Sequence, residues 1–486
     1  MIAQPNILLI TTDTQRCDTI AHLGNPNAVS PHLDRLAREG VTFTNAHTSS
    51  PVCMPARCSL LTGTHTPIHG CIENGIARHD HLTVLPDLLK AAGYTNIMVG
   101  KTHFGPIAAS FDVQCVVGEK NSPMEDPYTT HLHRHGYSRP TTYPHTVPES
   151  LFMDAFLVDT TIQEIDRAVA QGQRPFFAFC SLVSPHEPLD PPGAWGELYR
   201  DRPLPPLNYR AGEVAGYPAH LHQVLGIGRR TDQESPFSDE QPDMAVIDER
   251  RRRYYGLAAY CDEQIGRLLR HLKATGLRER TLVIFSSDHG TELFDHGFYD
   301  KHNYYDASWR VPLIISMPGT LPAGEQRDFA IWNDIAPTIL AAAGTGCATM
   351  QGFDLSTPLM GGDSSPRRCA VATLYTSCAL ATRRWKLEYY LEEGHGRLFD
   401  RQRDAAEQDD LYESAAHREV RAALVEALLA WRSNLVDVQW LQEHTAGGGP
   451  IAKIVARHTH AMRGTDAEER LNTCAVRVDD TTENGP

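Results

Sequence analysis

Cys53, Pro55 and Arg57 stand at alternate positions of a segment, residues 53–63, that runs CMPARCSLLTG. Proline is tolerated in the first turn of a helix, where its missing N–H costs nothing, so the segment predicts a helix that begins near residue 53. A nucleophile at residue 53 then lies at the positive end of the helix, where an oxyanion and an anionic substrate are favoured. Arg57 follows one turn later on the same face and can hold an anion with its planar guanidinium. A buried structural cysteine is the alternative for this segment taken alone.

Four other residues that could do chemistry each follow a short apolar run of the kind that predicts a buried strand. They are Asp13, Lys101, His186 and Asp288. In open α/β sheets, ligands gather at the carboxyl ends of the strands. We therefore expect these four side chains to meet at one edge of a sheet and to form a single site.

The elements that must position this site are strands alternating with helices, which predict an α/β domain with a largely parallel sheet. The predicted helices include Leu85–Ala92, Leu151–Ala170 and Asp248–Thr275. The segment Pro188–Met244 is rich in proline, glycine and polar residues and is interpreted as an insertion of functional importance. Thr130–His135 holds three histidines without metal-ligand spacing, so we interpret it as a solvated loop.

The pattern changes near Arg367, where short strand-like runs are followed by a predicted helix at Ala415–Val436. This change predicts a small α+β domain after the α/β domain. We therefore predict a catalytic domain at 1–366, an α+β domain at 367–440 and a tail at 441–486. The tail is expected to be extended and to wrap on a neighbouring subunit of a homo-oligomer.

Composition and charge exclude several classes of partner. The 486 residues carry a net charge of −15, which argues against nucleic acid and anionic membranes. No apolar run approaches the roughly 18–20 residues of a transmembrane helix, and residues 1–4 lead directly into a predicted strand, which leaves no room for a secretory signal. The 11 cysteines, an odd number without framework spacing, favour reduced thiols. We expect a cytoplasmic protein that receives any anionic substrate through a local cluster of cations.

Taken in order along the chain, these motifs resemble those of the type I sulfatases, which belong to the alkaline phosphatase superfamily. The segment 53–63 is similar to the family's Cys-x-Pro-x-Arg signature, and Gly100-Lys101-Thr102-His103 is similar to its second signature. The further matches are Asn6–Asp13, Pro185–Pro188, Ser287–Gly290, Asp295–Leu313, Trp332–Gly344 and Arg384–Glu407. The resemblance implies an alkaline-phosphatase-like α/β fold, with a mostly parallel central sheet flanked by helices and a smaller C-terminal α+β domain.

The resemblance also implies a cofactor and a modified residue. In the family, a sulfatase-maturing enzyme converts the cysteine that corresponds to Cys53 into formylglycine, an aldehyde whose hydrate is the nucleophile. Asp13, Asp288 and His289 would hold one divalent ion together with residue 53, and several oxygen donors favour Ca²⁺ over Mg²⁺ or Mn²⁺. Thr14 replaces a second aspartate of many members, so the resemblance does not supply a fourth protein ligand.

The remaining roles also follow from the resemblance. Arg57 holds the nucleophile and a sulfuryl oxygen, and Lys101 and Lys301 bind the sulfate group. His103 stabilises the aldehyde hydrate. His186 is the general acid for the leaving oxygen, a task that suits a group titrating near neutrality.

The function that the sequence predicts is hydrolysis of a sulfate monoester or sulfamate of a small molecule or carbohydrate. The alternative within enzymes is a phosphonate monoester or phosphodiester hydrolase of the same superfamily. Those relatives usually carry Tyr and Thr where this chain has Lys101 and His103, which favours the sulfatase. A protein of another class, which binds sulfated glycans with an unmodified Cys53 and has no catalytic activity, is the third hypothesis.

Overall fold

The computed structural model describes residues 4–117, 126–139, 146–172, 174–228, 242–362, 365–435, 437 and 464–480. Within them, the largest sheet has eight strands in the order β10-β2-β9-β6-β1-β5-β3-β4. The strands are β1 (Asn6–Thr12), β2 (Val41–His47), β3 (Thr95–Gly100), β4 (Val113–Val116), β5 (Phe176–Ser181), β6 (Thr281–Ser287), β7 (Glu292–Leu293), β8 (Tyr299–Asp300), β9 (Leu313–Ser316), β10 (Gly324–Ile331), β11 (Ala370–Leu374), β12 (Ser377–Ala381), β13 (Trp385–Tyr390) and β14 (His395–Asp400).

The described α-helices alternate with the strands of the large sheet and continue beyond them. They are α1 (Pro31–Arg38), α2 (Cys53–Thr62), α3 (Thr66–His69), α4 (Leu85–Ala91), α5 (Pro127–Arg134), α6 (Met153–Gln171), α7 (Ala219–Gly228), α8 (Met244–Ala274), α9 (Asp306–Trp309), α10 (Ile335–Ala342), α11 (Ser356–Leu359), α12 (Arg418–Ser433) and α13 (Gly464–Asp480). None of the helices within the described ranges is both long enough and apolar enough to cross a membrane.

The centre of the large sheet is parallel, as predicted. β1 pairs in parallel with β5 and β6, and β3 pairs in parallel with β4 and β5. β9 runs antiparallel to β6, so the sheet is mixed at that side. Six of the seven residues of β1 are buried, as is typical of a parallel strand whose two faces are both covered. The prediction of a mostly parallel α/β sheet is confirmed.

The chain divides into two compact units that do not follow chain order. The first comprises Met1–Thr44, Leu89–His103 and Ile107–Glu325, and the second comprises Asn45–Leu88, Phe104–Pro106 and Gln326–Pro486. This division reflects how compactly the chain packs and does not test the predicted domain boundaries at 366 and 440, which stay predictions. Within the first unit, side chains such as Leu8, Ile97 and Phe176 form a core with residues of α1, α6 and α8.

Within the second unit, the four strands β11 to β14 form an antiparallel sheet in chain order. Its apolar face packs with Leu424, Leu428 and Trp431 of α12 and with Leu471 and Val478 of α13. The small C-terminal α+β domain predicted from the sequence is therefore present.

Two local expectations are wrong. Thr130–His135 is not a loop over most of its length, because α5 covers residues up to Arg134. Asp126 caps that helix by accepting a hydrogen bond from the Tyr128 N–H (3.0 Å), and Pro127 occupies its first turn. The tail is not extended throughout either, since α13 packs against its own chain; the tail residues 441–463 and 481–486 lie outside the described residues.

Candidate active site

Acidic residues directly follow two neighbouring strands of the first unit, β1 and β6. Asp13 follows β1, and Asp288 and His289 follow β6. One donor atom from each of these three side chains lies within 4.8 Å of the other two, and all three residues have no solvent exposure. Buried carboxylates are costly unless a cation compensates them, so this group is a candidate metal centre.

The hydrogen bonds around this group suit a divalent cation. Asp288 Oδ1 accepts from the backbone N–H groups of Thr14 (3.1 Å) and His289 (3.0 Å), which fixes the carboxylate. His289 Nδ1 donates to the carbonyl oxygen of Gly290 (2.7 Å), and the lone pair therefore resides on Nε2. A metal-ligating histidine usually donates its other ring N–H to such an acceptor. The residues present therefore fit a metal with two carboxylates and one imidazole as ligands.

Lys101 follows β3 and donates a hydrogen bond from Nζ to Asp13 Oδ2. Its backbone N–H donates to the carbonyl oxygen of Ser181 at the end of β5 (3.0 Å), which fixes the exit of the chain from β3. Only 7% of Lys101 is exposed. The structure therefore brings a cation to the metal-ligand group, as the positions of these residues at strand ends predict.

His186 is half-buried in the turn that follows β5 and lines a cleft together with Thr14, Tyr254, Tyr299 and Asp300. His186 Nδ1 donates to the carbonyl oxygen of Glu187 (2.8 Å), which leaves Nε2 as the ring nitrogen that can exchange a proton with a ligand. Since Thr14 directly follows Asp13, the cleft begins next to the metal-ligand group. A ligand bound in the cleft would lie beside this ring nitrogen.

Lys301 and His103 belong to segments that flank these groups. Lys301 is 5% exposed, and its Nζ lies 3.6 Å from Oδ1 of Asp300, which lines the cleft. His103 is half-buried and has a positive φ of 48°. A non-glycine residue in this left-handed region is uncommon, and such residues concentrate at functional sites.

Cys53 and Arg57 belong to the second unit, where both are buried in helix α2. Cys53 is the first residue of the helix, as the position of Pro55 predicts. The N–H of Met54 donates to the side-chain oxygen of Asn74 (3.0 Å), which holds the first turn. Cys53 therefore lies at the positive end of a helix dipole, where a developing oxyanion is stabilised.

The sequence analysis missed a residue that positions the candidate acid. Asp154, in the first turn of α6, is fully buried and accepts hydrogen bonds from the N–H groups of Val183 (3.0 Å) and Ser184 (3.3 Å) and from the Ser184 hydroxyl (2.5 Å). These bonds fix the turn that precedes His186. Burial raises the pKa of Asp154, and the hydrogen bonds oppose that shift. The available signal was an acidic residue inside an otherwise apolar stretch of helix.

The site also depends on contacts that the sequence analysis did not foresee. Ser287 Oγ accepts from the Gln15 N–H (2.8 Å) and donates to the His289 carbonyl oxygen (2.9 Å). Tyr254, from the middle of α8, donates its hydroxyl to the Thr14 carbonyl oxygen (2.6 Å). Thr14 has a positive φ of 61°, and these bonds hold the turn after Asp13 in that conformation.

The comparisons with known proteins agree with this fold. The family model Sulfatase matches residues 5–345, and the model N-sulphoglucosamine sulphohydrolase, C-terminal, matches residues 294–434. An arylsulfatase of Clostridium perfringens is 27% identical over 86% of this chain and 92% of its own length. A multifunctional alkaline phosphatase superfamily protein of Trinickia caryophylli is 28% identical over 70% of this chain and 74% of its own. The structure of a phosphonate monoester hydrolase from Silicibacter pomeroyi has a TM-score of 0.79 and 25% identity, covering 89% of this chain and 96% of its own.

The fold is that of the alkaline-phosphatase-like hydrolases, with its candidate site at the carboxyl ends of the parallel strands. Because the first family model covers well over half of the chain, this chain belongs to the sulfatase family. The prediction of an enzyme of this family is confirmed.

Proposed function

We propose that this protein hydrolyses a sulfate monoester to an alcohol and inorganic sulfate. The observation that carries the proposal is the buried group of Asp13, Asp288 and His289, with Lys101 hydrogen-bonded to Asp13. Hydrolysis of an anionic ester needs cations on the non-bridging oxygens and an acid for the leaving group. Lys101 and Lys301 are the proposed cations, and His186 is the proposed acid.

Residue 53 is the proposed nucleophile after maturation. A sulfatase-maturing enzyme would convert the Cys53 thiol to an aldehyde, formylglycine, and the aldehyde is hydrated. One hydroxyl group of the hydrate loses its proton to solvent, and the resulting alkoxide attacks sulfur. Arg57 holds the negative charge of this alkoxide and one sulfuryl oxygen through its guanidinium. The position of Cys53 at the start of α2 supports this role, because the helix dipole favours an oxyanion there.

His186 and His103 are the proposed proton carriers of the two displacements. As the bond between sulfur and the leaving oxygen breaks, His186 gives the proton on Nε2 to that oxygen, and the alcohol departs. His103 then accepts the proton of the second hydroxyl group of residue 53. The electron pair that remains on that oxygen restores the aldehyde and expels sulfate.

Asp13, Asp288, His289 and residue 53 are the proposed ligands of one metal ion. Ca²⁺ is favoured because it accepts several oxygen ligands in a flexible geometry, and Mg²⁺ and Mn²⁺ are the alternatives. When bound, the ion would polarise the oxygen of the nucleophile and offset the charge of the sulfate group.

The substrate class that we propose is a small-molecule or carbohydrate sulfate ester or sulfamate. We also propose that the enzyme acts in the cytoplasm, where the maturing enzyme would act on the reduced thiol of Cys53. All 11 cysteines are free thiols, which supports a reducing compartment.

A phosphonate monoester or phosphodiester hydrolase is the second candidate, and the similarity to the phosphonate monoester hydrolase structure favours it. Lys101 and His103 favour the sulfatase, since phosphonate hydrolases of this superfamily usually carry Tyr and Thr at these two positions. A sulfated-glycan-binding protein without catalytic activity would leave the buried metal-ligand group without a function.

Modification and activity at residue 53 test the proposed mechanism. Mass spectrometry of the peptide that contains residue 53, from a host with a sulfatase-maturing enzyme, should show formylglycine. The Cys53→Ala variant should lose turnover of an aryl sulfate and keep a thermal unfolding midpoint near that of the wild type. Cys378→Ala, which removes another buried thiol of the second unit, is the matched control and should keep turnover. Full activity in Cys53→Ala would exclude the mechanism.

A further inference from the structure

A second cluster of metal-ligating side chains lies in the second unit. It consists of Cys58 in α2, His69 at the end of α3, and Cys71 two residues later. The two Sγ atoms and a ring nitrogen of His69 all lie within 4.8 Å of one another, and none of the three residues has any solvent exposure. The sulfatase reaction proposed above uses none of them.

The hydrogen bonds of His69 prepare its ring as a ligand. His69 Nδ1 carries the lone pair and accepts from the backbone N–H of Cys71 (3.2 Å), a bond that a metal ion bound at Nδ1 would replace. His69 Nε2 therefore carries the proton and donates it to Ser59 Oγ (2.9 Å). This is the arrangement that outer hydrogen-bond partners give to metal-ligating histidines, in which they fix the tautomer and the ring orientation.

The two thiols can become metal ligands by losing their protons. Cys58 Sγ donates to the Phe104 carbonyl oxygen (3.6 Å), and Cys71 Sγ donates to the Glu73 carbonyl oxygen (3.7 Å). The positively charged guanidinium of Arg78 lies near Cys58. A metal ion that binds two thiolates displaces two protons, and Arg78 would partly offset the negative charge that they leave.

We propose that Cys58, His69 and Cys71 bind one thiophilic d¹⁰ metal ion, Zn²⁺ or Cu⁺. Two thiolates and one imidazole select soft or borderline ions over Ca²⁺ and Mg²⁺. Zn–S and Zn–N bonds of about 2.3 and 2.0 Å in tetrahedral geometry place the ligand atoms about 3.5 Å apart. Side chains whose donor atoms already lie within 4.8 Å reach this spacing by small movements. The inference is independent of the proposed hydrolysis.

The bound ion would cross-link helix α2 to the segment that follows α3. This segment holds the first turn of α2 through the bond between Asn74 and the Met54 N–H (3.0 Å). It also holds Met54 through its sulfur, which accepts from the Gly75 N–H (2.9 Å). The site would therefore stabilise the surroundings of residue 53, and metal loading should raise the unfolding midpoint.

Metal titration of the full-length protein tests the proposal. The protein is treated with chelator under anaerobic, reducing conditions, and Ca²⁺ is then added in excess to occupy oxygen-rich sites. Titration with Zn²⁺ and, separately, Cu⁺ against chromophoric chelators should show one tightly bound equivalent of at least one of them. The ion that binds more tightly is the one that the site prefers. Co²⁺ loading should give a thiolate-to-metal charge-transfer band.

Variants assign the binding to the three ligands. Cys58→Ser and Cys71→Ser should each weaken binding by roughly 10²-fold or more, and Ser59→Ala by about 10- to 100-fold, as loss of an outer partner typically does. Cys180→Ser, which removes a buried thiol of the first unit, is the control and should bind like the wild type. X-ray absorption of the loaded wild-type protein, which needs no variant to fold, should show two sulfur neighbours. Equal affinity in Cys58→Ser and the wild type, or a spectrum without sulfur, overturns the proposal.

Discussion

Lys101 and Asp13 define the chemistry of the candidate site at the scale of single residues. The pair is buried, with 7% and 0% exposure, so each charge relies on a partner. In the proposed reaction, Lys101, which bonds the proposed metal ligand Asp13, lies where the charge of a bound sulfate would develop. Because the surroundings exclude water, its electrostatic effect is larger than at the surface.

Substitution of Lys101 tests this role. Lys101→Ala should lower kcat/KM for an aryl sulfate by roughly 10²-fold or more, as loss of an electrostatic contact in the transition state typically does. Lys90→Ala is the control, because Lys90 is exposed and forms a surface ion pair with Asp112 (2.9 Å). Steady-state kinetics on fully matured enzyme measure both variants. If both substitutions had an equal, small effect on kcat/KM, Lys101 would not stabilise the transition state.

His186 makes a different prediction, because an acid matters only when the leaving group needs a proton. His186→Ala should impair hydrolysis of alkyl sulfates strongly and that of nitrophenyl sulfate weakly, since nitrophenolate departs without protonation. The measurement is the dependence of log kcat/KM on the pKa of the leaving alcohol. The variant should show the steeper slope. Parallel lines for variant and wild type would contradict the assignment.

At the scale of elements, α8 contributes to the site and also to the packing of α1. Asp262, in α8, accepts hydrogen bonds from the N–H groups of His32 (3.1 Å) and Leu33 (2.7 Å) in the first turn of α1. It therefore satisfies two donors that an isolated helix leaves without a partner. Burial raises the pKa of Asp262 from 3.8 to about 6, and the two backbone bonds oppose the shift.

This pKa predicts a pH dependence of stability. Since the pKa of Asp262 is higher in the folded than in the unfolded chain, the folded state binds the proton more tightly. Its contribution to stability is complete below pH 3.8 and is lost as the pH rises through about 6. Asp262→Asn loses one acceptor but cannot ionise. Its unfolding midpoint should therefore rise relative to the wild type between pH 4 and pH 7, a change that calorimetry measures.

Asp87→Asn is the control for this experiment, because Asp87 is an exposed residue of α4. The difference between Asp87→Asn and the wild type should stay nearly constant with pH. If the difference in unfolding midpoint between Asp262→Asn and the wild type were also constant with pH, Asp262 would not be the cause of this pH dependence.

The buried strands, and the edge of the sheet at which they end, were predictable from the sequence. An apolar run bounded by polar residues forms few structures other than a buried strand. The positions of Asp13, Lys101 and Asp288 at strand ends follow from this pattern. The helix start at Cys53 was predictable from Pro55. These features depend on neighbours in sequence, which is why a single chain reveals them.

Other features depend on partners distant in sequence. The strand Ser377–Ala381 was not predicted. Its five residues are all buried, and their partners in the sheet are β11 and β13. Helix α13 is fixed by Glu468, which is buried and pairs with Arg367 and with His65 (2.6 Å). Neither partner could be identified from the composition of the tail. Asp154 was missed for the same reason, since its partners lie about thirty residues later.

At the scale of the whole molecule, the fold does not decide between sulfate and phosphonate chemistry. The same architecture supports the phosphonate monoester hydrolase of Silicibacter pomeroyi, and function resides in the side chains of the site. A net charge of −15 also gives no general attraction for either anion. The choice therefore depends on a few local cations and on the residues beside them.

The most direct test of the proposed function is the ratio of kcat/KM for an aryl sulfate to that for the matched phenylphosphonate ester. The enzyme must be fully matured at residue 53, with its metal supplied, and both substrates must carry the same nitrophenol leaving group. Both esters carry one negative charge, so the proposed cations Lys101, Lys301 and Arg57 do not distinguish them. The prediction depends on Lys101 and His103, which replace the Tyr and Thr of phosphonate hydrolases. We predict a ratio clearly above one. A ratio clearly below one would contradict the account and assign the protein to the phosphonate hydrolases.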